Sequence, residues 1–268
     1  MKIGIIGGTG WLGGAIARAL LDTGFVAQGD LWLSNTSGRR NGFEDRPDVM
    51  ITADNRELVR QCDIVCLSVL PQAFPRLDID IGDRLAISVM AGVTSAEIAS
   101  RTGARRVVRS LPNAAAELRQ SFTPWVANVA ASAQDRDLVQ RMFTCCGVAR
   151  EIGDEAQLDY FTGLTGSGPA FLALVADAMV GSAIGHGIDP ATAEEAVRQL
   201  FRGGGRMVTE AVVSPGEIVR TFVDYAGTTA AGLTAMIEAG VPEGIGHGLD
   251  AAFEKARQGM SSAPPGSD

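Results

Sequence analysis

Hydrophobic and polar positions divide the chain into two parts with different periods. From residue 1 to about residue 153, short unbroken apolar runs alternate with helix-spaced stretches. Ile3-Gly4-Ile5-Ile6 reads as a buried strand. Leu12, Ile16, Ala19 and Leu20 then recur at i, i+4, i+7 and i+8 and stop at Gly24, which predicts a helix. Leu31-Trp32-Leu33, Ile64 to Val69, Leu85 to Met90 and Arg106-Val107-Val108 predict further strands. Strands that alternate with helices build βαβ units, and unbroken apolar runs mean a parallel sheet covered on both faces. From about Asp154 the strand signal disappears. Pro169 opens a helix carrying Phe171, Leu174, Val175, Ala178 and Met179. Asp189-Pro190 reads as N-cap and first helical residue ahead of Val197, Leu200 and Phe201. Ser214-Pro215-Gly216-Glu217 has the form of a capping box, and two more helical stretches run to Gly240 and from Pro242 to about Gln258. The predicted class is α/β, with an N-terminal parallel-sheet domain over 1–153 and an all-helical C-terminal domain over 154–260. Residues 261–268, SSAPPGSD, read as a disordered tail.

Composition agrees with two packed domains. The chain has 268 residues, 46% of them hydrophobic and 20% charged, enough to bury a core without staples. With 23 Lys and Arg against 31 Asp and Glu, the net charge of −8 speaks against nucleic acid and against an anionic membrane face. The longest weakly polar stretch, Ala170 to Gly185, contains Asp177 and falls short of the ~20 residues that span a bilayer. Lys2 followed by apolar residues has the look of a signal peptide, but the glycine spacing after it explains the segment better. Four cysteines without a CxxC pair and only two histidines predict no metal site and suit the reducing cytoplasm. The many small and apolar positions of the helical half predict a homodimer or higher homo-oligomer joined through it.

Four segments carry candidate chemistry. Gly8-Thr9-Gly10-Trp11-Leu12-Gly13 is a GxGxxG between a strand and a helix, the context of Rossmann-type dinucleotide binding. Gly8 allows the tight turn, Gly10 lets backbone approach a pyrophosphate, Gly13 lets helix pack on strand, and the helix N-terminus offers N–H donors. Asp30 precedes the second strand, so it stands at the wrong end to hold a ribose hydroxyl. The far end reads Ser34-Asn35-Thr36-Ser37 with Arg39 and Arg40 after it, either a plain polar loop or a site for a 2′-phosphate. NADPH is the cofactor expected, with NADH as the alternative. Gly166-Ser167-Gly168-Pro169 reads as a helix break with exposed backbone polar groups. Gly227-Thr228-Thr229 places free N–H groups and two hydroxyls at a helix start, either plain N-capping or a seat for a carboxylate.

Together these residues resemble the pyrroline-5-carboxylate reductase family along nearly the whole chain. KIGIIGGTGWLGGAI resembles its nucleotide loop, and Ser68-Val69-Leu70-Pro71-Gln72 its V-K-P-Q. Ser88 to Val93 matches S-x-x-A-G-V/I, and Arg109-Ser110-Leu111-Pro112-Asn113 matches R-x-M-P-N. Leu164 to Phe171 is close to L-S-G-S-G-P-A-Y, and Gly227-Thr228-Thr229 ends S-P-G-G-T-T. Four departures stand out. Leu70 replaces the usual Lys, Ala114-Ala115 replace Thr-Pro, and Asp224-Tyr225-Ala226 replace Ser-Pro-Gly. The nucleotide loop has one residue more and resembles that of deazaflavin-dependent NADP reductases.

The resemblance implies hydride transfer from NADPH to the C=N carbon of 1-pyrroline-5-carboxylate, giving L-proline. It places Val69, Pro71, Ala91 and Asn113 along the nicotinamide half of the cofactor. Gly227, Thr228 and Thr229, with Gly166 and Ser167, would hold the substrate, and Thr229 would hydrogen-bond the ring nitrogen. Ser167 and Thr229 are thus the catalytic candidates, and two chains would build each site. Asp224 flanks the carboxylate seat and repels a carboxylate unless it points away or is paired. Tyr225 reads equally as a proton donor or a packing residue. Two other readings remain: an NADP-dependent reductase of another cyclic imine or a carbonyl, and a non-catalytic NADP-binding protein.

Overall fold

The computed structural model describes residues 1–258. Eight strands form one sheet: β1 (Ile3–Ile6), β2 (Leu31–Ser34), β3 (Met50–Thr52), β4 (Ile64–Leu67), β5 (Leu85–Ser88), β6 (Arg106–Ser110), β7 (Ser121–Ala127) and β8 (Gly147–Glu151). Their order is β3-β2-β1-β4-β5-β6-β7-β8. The chain therefore steps outward from β1 in one direction through β2 and β3, then resumes beside β1 with β4. That change of direction opens a crevice at the carboxyl ends of β1 and β4, where open α/β sheets bind ligands.

The sheet is not wholly parallel, as the strand–helix alternation had predicted: β7 runs antiparallel to β6. Only a short 3-10 turn, Ala114–Leu118, joins the two strands, and Arg119 closes it with φ 55°. A parallel return needs a crossover of a dozen or more residues, so this connection permits only the antiparallel one.

The all-apolar strands are explained by a core on each face. Ile3, Ile5, Leu33, Ile64, Cys66, Ile87 and Val108 point to one side, against Ile16 and Leu20 of α1 (Trp11–Asp22) and Met142 and Phe143 of α4 (Ala133–Thr144). Ile6, Trp32, Val65, Leu67, Ala86 and Val107 point to the other. There they meet Leu58 of α2 (Asn55–Gln61) and Ile98 of α3 (Ser95–Thr102). Adjacent strand residues alternate faces, so a strand buried on both sides needs apolar residues throughout. Side-chain caps start these helices: Asp54 for α2, Thr94 for α3, and a full capping box between Ser132 and Asp135 for α4.

The helical part holds α5 (Glu155–Phe161), α6 (Gly168–Gly185), α7 (Pro190–Glu210), α8 (Pro215–Asp224), α9 (Thr228–Glu238) and α10 (Val241–Arg257). Asp189 caps α7 ahead of Pro190, and Ser214 and Glu217 form the capping box of α8, as their spacing predicts. The expected break at Gly166–Pro169 falls at Ser167, a bend between two helical stretches. Ahead of it Thr162–Gly166 forms a π turn, with Ser167 N–H donating to the Thr162 carbonyl at 2.9 Å. Taken as one stretch, Glu155 to Gly185 is long and apolar enough by length and composition to cross a membrane.

By compactness the described chain forms one unit of residues 1–167 with 250–258 and another of residues 168–249. Secondary structure changes type at 152–154, where β8 ends and α5 begins. Compactness instead divides the chain after Ser167, because α5 and the π turn pack with the sheet unit. The expected tail, 261–268, lies outside the described residues.

Candidate active site

The glycine loop follows β1 directly. Gly7 takes a left-handed backbone, φ 79°, and a β-carbon there would collide with the Ser68 carbonyl. The tight turn expected at Gly8 thus belongs to Gly7. Gly8 is needed for another reason: a β-carbon on it would lie 2.7 Å from Leu33 Cδ2 on β2. One on Gly13 would collide with the Gly7 carbonyl, so glycine there lets α1 approach the loop.

Gly10 is the N-cap of α1, with no side-chain cap and no acid in the first turn. The N–H groups of Trp11, Leu12 and Gly13 precede the first intrahelical bond, Gly14 N–H to the Gly10 carbonyl at 2.7 Å. A glycine cradle with uncommitted donors and no acid in the first turn of the helix fits a dinucleotide pyrophosphate.

The end of β2 fixes the loop that would meet the ribose. Ser34 is fully buried, and its hydroxyl donates to Asn55 Oδ1 at 2.6 Å. Its carbonyl accepts Gly7 N–H at 3.0 Å and Gly8 N–H at 3.1 Å. Ser34 therefore shapes the loop, and its hydroxyl is already committed. Asn35 Nδ2 donates to Thr9 Oγ1 at 3.0 Å and to the Arg39 carbonyl at 2.7 Å, joining the two loops. Thr36 and Arg39 are exposed. Arg40 is spent on structure, its guanidinium donating to the carbonyls of Arg46, Pro47 and Val49. Asp30 precedes β2, at the opposite end from the loop.

Past the carboxyl ends of β4, β5 and β6 lie Val69 and Pro71, Ala91, and Asn113 respectively. All four are half-buried. Asn113 Oδ1 accepts Ala115 N–H at 2.9 Å, while Nδ2 donates to the Thr165 carbonyl at 2.8 Å. The π turn is thereby tied to the end of β6. Trp11, Leu12, Asn113, Ala114 and Gly166 line one small cavity together with Glu117, the charged residue of its lining. The Ser167 hydroxyl donates back to the Thr162 carbonyl at 3.2 Å. Gly7, Ser68 and Thr165 carry no reactive side-chain role visible in sequence; their part is played by backbone carbonyls and a dihedral angle.

The remaining candidates lie in the second unit. Gly227 is the N-cap of α9, extended and without a side-chain cap, so Thr228 and Thr229 present first-turn N–H groups and hydroxyls. Tyr225 caps α8 and is 87% exposed. Ala226 has φ 50°, the left-handed region that favours glycine.

Comparison with known proteins bears on both parts of the chain. The family model for pyrroline-5-carboxylate reductase dimerisation matches residues 155–259, and the model for coenzyme F420-dependent NADP oxidoreductases matches residues 2–92. A pyrroline-5-carboxylate reductase of Pseudomonas aeruginosa is 30% identical over 214 residues, covering 78% of each chain. One from Methanosarcina acetivorans is 29% identical over 96% of this chain and 97% of its own. The solved pyrroline-5-carboxylate reductase of Coxiella burnetii superposes with a TM-score of 0.87 at 26% identity, covering 96% of this chain and 97% of its own. On these matches, which run through both units, the chain belongs to the pyrroline-5-carboxylate reductase family.

Proposed function

We propose that this protein reduces 1-pyrroline-5-carboxylate to L-proline with NADPH. The observation that carries the reading is the near full-length likeness to pyrroline-5-carboxylate reductases, in a chain whose glycine cradle and α1 N-terminus fit a dinucleotide phosphate. When bound, the cofactor supplies the hydride.

The chain's own residues do the rest. Gly8, Thr9, Gly10, Trp11, Leu12 and Gly13 hold the pyrophosphate by backbone N–H groups at the positive end of α1. Ser34 and Asn35 set the ribose loop, from which Thr36 and Arg39 reach the 2′-phosphate, so NADPH is preferred to NADH. Val69, Pro71, Ala91 and Asn113 orient the nicotinamide half. Gly227, Thr228 and Thr229 receive the substrate carboxylate, and Gly166 and Ser167 are the further substrate-binding residues. The Thr229 hydroxyl hydrogen-bonds the ring nitrogen, which carries the proton in the product.

The helical part has the dimerisation match and many exposed apolar residues, among them Leu172, Leu174, Met207 and Ile237. Both features support a homodimer or higher homo-oligomer, and the free cysteines Cys62, Cys66, Cys145 and Cys146 suit the cytoplasm. The exposed Leu70 and the Asp224-Tyr225-Ala226 segment favour, as the second reading, a different cyclic imine or a carbonyl on the same machinery.

The test is NADPH oxidation by purified protein on addition of 1-pyrroline-5-carboxylate, with L-proline measured as product. Turnover is expected with NADPH and slower turnover with NADH. NADPH binding without imine-dependent oxidation overturns the substrate assignment.

A further inference from the structure

Arg109 lies on β6, paired with Ser88 of β5, and its side chain is 3% exposed. A buried guanidinium needs a partner, and this one has Glu155 on the first turn of α5: Nη1 donates to Oε1 at 2.8 Å. Asp159, one turn further along α5, stands 3.7 Å from Nη2. The same Glu155 Oε1 accepts the Ser95 N–H at 2.7 Å, at the start of α3. One carboxylate oxygen thus joins β6, α5 and the loop leading into α3.

Each of those elements carries one part of the nicotinamide edge. Ala91 lies in the loop into α3, Asn113 lies four residues beyond Arg109, and Gly166 and Ser167 end the π turn that continues α5. A second joint, Asn113 Nδ2 to the Thr165 carbonyl at 2.8 Å, ties the far end of the same segment. The residues along that edge come from three separate connections; the β5–β6 ladder and the Ser110 hydroxyl, donating to the Ser88 carbonyl at 3.1 Å, hold two of them together, and the Glu155 and Asn113 contacts add the segment of α5 and the π turn. We infer that Arg109 and Glu155 are positioning residues for the reaction, setting Ala91, Asn113 and Gly166–Ser167 relative to one another without touching cofactor or substrate. This inference rests on the reading of that edge as the nicotinamide side.

A salt bridge that merely stabilises the fold would leave the folded fraction fully active, so the test separates the two roles. Arg109→Lys keeps the charge and loses the planar fork; Glu155→Gln keeps an acceptor for Ser95 N–H and loses the charge. Both variants, made in the full chain and checked by thermal melting, are titrated with NADPH and with adenosine 2′,5′-bisphosphate, which lacks the nicotinamide half. Binding of the bisphosphate is expected within ~2-fold of the parent, NADPH binding ~5-fold weaker, and kcat ~10- to 100-fold lower with little change in KM, as for a sub-ångström misplacement of reacting groups. Asp159→Asn, on the more distant carboxylate, should leave the affinity ratio unchanged.

A folded variant with the parent's ratio of NADPH to bisphosphate affinity and the parent's kcat overturns the inference. If Arg109→Lys does not fold, Glu155→Gln decides alone, since its carboxylate is only partly buried. If the parent turns over no imine, the proposed function fails while the affinity ratio still decides this point.

Discussion

Arg39 and Arg40 are neighbours in sequence with opposite fates. Arg40 satisfies three backbone carbonyls of the 46–49 segment, whereas Arg39 is exposed beside the loop that Asn35 ties to Thr9. Arg39→Ala is expected to weaken NADPH about tenfold or more while sparing NADH, because a charge-assisted contact contributes roughly 1.5–3 kcal/mol. Arg40→Ala should leave the NADPH-to-NADH preference intact and lower stability by roughly 1 kcal/mol, since it removes the donor from two part-buried carbonyls and one exposed carbonyl. Fluorescence titrations with both cofactors and thermal melts separate the two. Sequence offered both arginines on equal terms, and only the path of the 40–49 loop distinguishes them. Burial pushes the Cys66 and Cys146 thiols up to about 12, so both stay protonated as packing atoms of the core.

Among elements, those with strong local signals were legible and those made by pairing were not. β1, β4 and β5 announce themselves as apolar runs, and α7 and α8 begin at side-chain caps. β7 reads SFTPWVA, with polar residues and a proline, and β8 reads GVARE; both exist because β6 and α4 offer them partners. The π turn was hidden for a similar reason, because glycines that signal a break also tolerate an expanded turn.

The capping box of α4 gives a pH prediction. Burial raises the Asp135 carboxyl, but the Ser132 backbone N–H and hydroxyl, together with the Arg106 guanidinium at 2.6 Å, outweigh it and hold the carboxyl below its usual value. A depressed folded-state value contributes stability above the unfolded pKa, about 3.9, and loses it as pH falls through the folded value. Asp135→Asn should therefore melt earlier than the parent at neutral pH and show a smaller further loss below about pH 4. Equal acid sensitivity in melts of the two proteins would refute this.

At the scale of the whole chain, the two units differ in what they bury. The sheet unit has a core on each face, while in residues 168–249 only Ala193 and Val197 are buried within one chain. Leu172, Leu174, Val175, Met179, Leu200 and Met207 remain exposed there. Helices of this composition need a second surface to hide these side chains, and the dimerisation match covers the same residues. Domain order, cofactor class and family were therefore readable from sequence, because they rest on spacing and motif. The relation between copies was foreshadowed only by an excess of small and apolar residues. The near absence of a private core in residues 168–249 also has a kinetic consequence. On the proposed homo-oligomer their last packing step is an encounter between chains, so recovery of activity after dilution from denaturant should follow second-order kinetics, with a half-time that shortens in proportion as protein concentration rises. A half-time independent of concentration would mean that a single chain completes the helical part unaided.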